Sequence, residues 1–138
     1  MNHFIYLITL IVIFYEFYLL FKNLVNKIDK IIIIISILLQ LLFFINFFIR
    51  INILFKLIHY SFWILTIYII LISNNIYLLF LALINILSVL FTRYYYKECL
   101  FYNFYSLKDK YNKNIFWDKI SILLLIIILF KICFHLNS

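Results

Sequence analysis

Glycine and proline are both absent from this 138-residue chain. Alanine occurs once, at Ala82, and arginine twice, at Arg50 and Arg93. Charged residues make up 12% of the sequence, against roughly 25% in soluble domains. Each shortage excludes something. Without Gly there is no glycine-rich cradle for phosphate. The two cysteines, Cys99 and Cys133, are too few for a disulfide framework. Scarce charge beside 69% apolar residues excludes a soluble domain, because a fold of this size leaves too much of its surface in water to hide so much apolar side chain. It also excludes intrinsic disorder, which requires polar, aromatic-poor composition.

Ile, Phe, Tyr, Asn, Lys and Leu fill most of the chain. Leu apart, these abundant types have A/T-rich codons, and the missing types have G/C-rich ones, which points to an A/T-biased genome. Gly is ordinarily frequent in membrane helices, so physical need alone does not remove it.

Five apolar runs stand out, and helices are expected over 4–21, 31–49, 57–72, 76–91 and 115–134 of a single integral membrane domain, 1–138. A helix needs about 20 residues to cross a hydrocarbon core of about 30 Å. The first two runs fit directly. The third and fourth are extended by Tyr, Trp, Asn and Lys suited to the interface, and the fifth by Lys131, whose ammonium can snorkel outward. The first run has no basic segment before it and no small-residue cleavage site after it, and reads as a retained helix rather than a signal peptide. The expected fold class is all-α, a multipass transmembrane helical bundle of about five helices. A four-helix version, with one run lying in or re-entering the interface, is the alternative.

Connectors are short. Ser73, Asn74 and Asn75 predict a tight helical hairpin, since Asn replaces Gly well at a left-handed helix end. Residues 50–56 are amphipathic rather than loop-like. Segment 92–119 is basic and Tyr-rich, carrying Arg93, Lys97, Lys108, Lys110, Lys113 and Lys119. Mixed basic and aromatic residues tethered between two helices suit the headgroup layer.

The net charge of +7 is explained by Lys and Arg flanking the apolar runs, without nucleic acid as a partner. With five crossings, the N-terminus, 50–56 and 92–119 share one side, holding eight of the twelve basic residues. The positive-inside rule makes that side cytoplasmic, or matrix-facing in an organelle, although Lys22, Lys27 and Lys30 oppose it. This threading puts Cys99 and Cys133 on opposite sides. The partners expected are the bilayer and other membrane helices.

Glu16 lies inside the first run, and ionisable groups there are costly and often functional. Polar residues recur at helical spacing elsewhere: Tyr6 and Thr9 with Glu16, Ser36 with Gln40, His59 with Thr66, and Asn85 with Ser88 and Thr92. Glu16, Gln40, His59 and Asn85 are the candidate intramembrane polar sites. Their ordinary role is interhelical hydrogen bonding, and the alternative is a polar pathway through the bundle. His3, His59, His135, Cys99 and Cys133 make no metal-ligand spacing. Ser61 and His59, two apart on a helix, diverge and form no nucleophile–base pair. No metal, cofactor or catalytic residue is expected. The functional expectation is a structural or accessory multipass protein, viral or parasite-type or from an organellar complex, with a small transporter or channel subunit using Glu16 as the alternative.

Overall fold

A computed structural model of the chain describes residues 2–49, 51–96 and 115–136. These residues form five α-helices and no strand: α1 (Asn2–Phe21), α2 (Lys27–Ile49), α3 (Asn52–Ile72), α4 (Ile76–Tyr96) and α5 (Ile115–Leu136). Isoleucine favours strands in water, yet the run Ile31 to Ile35 lies within α2. In lipid a strand would leave backbone groups without partners, whereas a helix satisfies them within the segment.

Each helix has 20 to 23 residues, about 30–35 Å at 1.5 Å per residue. Three spans are both long and apolar enough to cross a membrane: Lys27–Asn46, Ile53–Ile72 and Lys119–Leu136. The apolar stretches of α1 and α4, Tyr6–Phe21 and Ile76–Phe91, are shorter. Several helices outrun the apolar runs that announce them. α2 starts at Lys27 rather than 31, because the Asn26 side-chain oxygen caps it by accepting the Asp29 N–H at 2.8 Å. α3 absorbs residues 52–56, so the amphipathic 50–56 segment is mostly helix. The Ile51 N–H at this turn is accepted by Asn46 Oδ1 at 3.0 Å. α4 runs on to Tyr96, so the first part of segment 92–119 is helical. Its residues 97–114, with Lys97, Lys108, Lys110, Lys113 and Cys99, lie outside the described residues.

Sequential neighbours pack together: α1 with α2, α2 with α3, α3 with α4, and α4 with α5. α1 also meets α4, and α5 also lies along α3. One core runs through all five helices. It includes Leu19 of α1, Ile33 of α2, Ile70 of α3, Leu78 and Ala82 of α4, and Ile128 of α5. Leu124, Ile128 and Ile132 recur four apart and form the buried face of α5. Large apolar side chains cover the outside, among them Phe14, Phe21, Phe48, Ile53, Phe130 and Phe134. Each of the three long spans has less than half of its residues buried. So much apolar surface in contact with water would be an aggregation surface, whereas lipid solvates it.

The left-handed turn falls at a different asparagine from the one expected. Asn23 has φ 53° and is the only positive-φ residue described. The Asn23 N–H bonds Leu20 O at 3.2 Å and the Leu24 N–H bonds Leu19 O at 3.3 Å, a Schellman closure of α1 with Asn in the usual Gly place. At the α3–α4 hairpin Ser73 is extended, with ψ 136°. Asn75 instead caps α4, its Oδ1 accepting the Tyr77 N–H at 2.9 Å, and its Nδ2 donates to Leu24 O at 3.0 Å across the bundle. Asn75→Ala removes the cap and that tie together. It is expected to cost about 1–2 kcal/mol in detergent melting. Asn74→Ala, at the exposed neighbour, should stay within about 0.5 kcal/mol.

Candidate functional site

The candidate site begins with the one carboxylate deep in α1. Glu16 is fully buried, on the side of α1 that faces α2. Ser36 and Gln40 are four residues apart, which puts both on one face of α2. The Ser36 hydroxyl donates to one Glu16 oxygen, and Gln40 Nε2 donates to the other at 2.7 Å. Gln40 Nε2 also reaches Ser36 Oγ at 3.2 Å, closing a triangle of three buried side chains. Both carboxylate oxygens are therefore satisfied by neutral donors of the same chain. Gln40 Oε1 is buried with no hydrogen-bond partner.

Gln40 also lines a cavity of about 60 Å³ bounded by α1, α2, α3 and α4. Thr9, Thr66, Asn85 and Ser88 contribute its other polar side chains, among Val12, Phe43, Trp63 and other apolar ones. A water needs only about 10–15 Å³ of such space, so the cavity has room for a few. The Ser88 hydroxyl donates to Ile84 O of its own helix at 2.7 Å.

Of the four candidate residues, Glu16 and Gln40 bond directly, and Gln40 and Asn85 share the cavity. His59 is elsewhere. It is buried in an aromatic layer, stacked on Phe55 with ring centres 6.3 Å apart, and Phe55 in turn meets Phe43. Thr9, Gln40, Thr66, Asn85 and Ser88 of the polar stripes share the cavity, whereas His59 does not line it with Thr66. Of the basic residues named from the sequence, Arg93 is half-buried near the end of α4 and Lys119 is exposed at the start of α5. The described residues include no group of three or more His, Cys, Asp or Glu placed to hold a metal.

A second polar cluster, not singled out from the sequence, lies beyond the C-terminal end of α1, where 22–26 and 73–75 meet. Lys131 does more than snorkel: its Nζ donates to Leu71 O at 3.2 Å and Ser73 O at 3.0 Å, capping the C-terminus of α3. Tyr15 donates its hydroxyl to Tyr77 O at 3.1 Å, tying α1 to α4. Asp29 is buried here too. The signal for it was present in the sequence as Asn26-x-x-Asp29, a capping pattern ahead of an apolar run. No family model, no curated protein and no solved structure matches the chain.

Proposed function

We propose that this chain is a structural or accessory multipass membrane protein that works by packing its helices against lipid and other membrane helices. The observation that carries this reading is the closed Glu16–Ser36–Gln40 triangle. Both oxygens of the intramembrane carboxylate are engaged in holding α1 to α2, leaving neither directed at a counter-charge or a transported ion. All five helices cross the bilayer in this reading, with the N-terminus and segment 92–119 on the cytoplasmic or matrix side. The chain acts without catalysis. Its preference for residues with A/T-rich codons fits a viral or parasite membrane protein, or a subunit of an organellar membrane complex.

The cavity supports a second reading, a small transporter or channel subunit. Gln40 joins Glu16 to a space that Asn85, Thr66 and Ser88 also line. Reconstitution into liposomes separates the two. The structural reading expects proton and cation flux no greater than in protein-free vesicles, and co-purification of membrane partners or of further copies in mild detergent. Flux that disappears in both Glu16→Gln and Glu16→Leu overturns it.

A further inference from the structure

The connector end of the bundle holds a cleft of about 590 Å³, far larger than the cavity between the helices. Asn26, Asp29, Ser73, Asn74, Asn75, Tyr68, Tyr77 and His135 contribute its polar lining, and Ile28, Ile72 and Ile76 its apolar wall. Asp29 is the only acidic side chain in that lining, and only 4% of it is exposed. Its backbone N–H makes the helix cap with Asn26, and the Ser73 side chain lies beside its carboxylate. Its second oxygen, Oδ2, has no hydrogen-bond partner. A buried carboxylate oxygen left without a donor carries the full cost of its desolvation.

Lysines are close in the chain, yet their contacts go to neutral oxygens. Lys30 Nζ donates to Asn23 Oδ1 at 2.8 Å, and Lys131 Nζ holds the two carbonyls that end α3. We propose that this cleft binds the headgroup of a zwitterionic phospholipid bearing a primary ammonium, with the ammonium at Asp29. One carboxylate among neutral oxygens suits a singly charged, three-donor group. A divalent cation would require more anionic ligands. Rotation of an Asp carboxylate about its terminal bond is soft, so Oδ2 reaches the cleft with little cost. Tyr68 and Tyr77 line the cleft too, and a tyrosine ring attracts a cation that approaches its face.

Charge favours a lipid over a free amine. Lys22, Lys27 and Lys30 all lie in or beside the connector that opens α2. They repel a free cation, whereas a phosphate beside the ammonium offsets that repulsion and accepts from them. The isoleucine wall lies where the glycerol and upper acyl chains would follow.

The test is a lipid titration of the full chain in detergent, followed by native mass spectrometry. Dioleoyl phosphatidylethanolamine is compared with dioleoyl phosphatidylcholine, whose methylated nitrogen has no hydrogen to donate. The expected result is binding of the ethanolamine lipid at least about 10-fold tighter, with Asp29→Asn abolishing the preference. Equal affinity for the two lipids in the native chain overturns the proposal, and that comparison stands even where Asp29→Asn does not fold. A preference unchanged in Asp29→Asn overturns it as well. Free ethanolamine is the third probe: displacement of the lipid at equal concentration overturns the lipid source in favour of a soluble amine, and failure to displace upholds it.

Discussion

Glu16→Leu lowers the stability of the detergent-solubilised protein by about 2 kcal/mol, and Glu16→Gln by less than about 1 kcal/mol. The difference follows from the donors. Leucine removes both acceptors, leaving the Gln40 amide buried with only the longer contact to Ser36. The Ser36 hydroxyl can turn to a carbonyl of its own helix, which limits the loss. Glutamine keeps one acceptor for Gln40 Nε2, and its own amide donates to Ser36 Oγ, whose hydroxyl accepts as readily as it donates. Thermal melting of both variants beside the native chain measures the order. A role in proton transfer predicts a different pattern, with similar melting for both variants and equal loss of activity, since neither side chain carries a proton.

Ala82→Leu costs about 1–3 kcal/mol for a different reason. The lone alanine sits on α4 with Leu78 and Ile86 one turn to either side, all three buried in the core that joins the five helices. In a chain without glycine it is the smallest side chain available for close helix approach. Three added carbons there displace α4 from its neighbours. Leu87→Ala, on the exposed face of the same helix, should stay within about 0.5 kcal/mol, and melting of the pair checks both values.

The helices were legible because lipid makes the rule simple: a long apolar run must satisfy its own backbone, and only helix does that. Their ends were less so. Those are set by single polar side chains such as Asn26, Asn46 and Asn75, whose bonds depend on chain brought close in space. Asn23 shows the limit clearly. Both it and Asn74 are asparagines in short connectors, yet Asn23 takes the left-handed turn while the α3–α4 hairpin leaves α3 through an extended Ser73.

The site was legible in parts for the same reason. Spacing placed Ser36 and Gln40 on one face and marked Glu16 as costly. That these three bond to one another depends on the rotation of α1 against α2, which spacing within one helix does not fix. His59 looked equivalent to Gln40 by the same criterion, and the aromatic neighbours Phe55 and Tyr60 of its own helix claim it instead. Lys131 read as a snorkelling residue because its acceptors belong to α3, some 60 residues earlier.

The most direct measurement is extraction of native membranes with carbonate at high pH. A bundle that exposes apolar side chains over most of its long spans is held by lipid contact rather than by charge. The chain should therefore remain in the membrane pellet and enter solution only with detergent. Its release into the carbonate supernatant would contradict the membrane-embedded bundle.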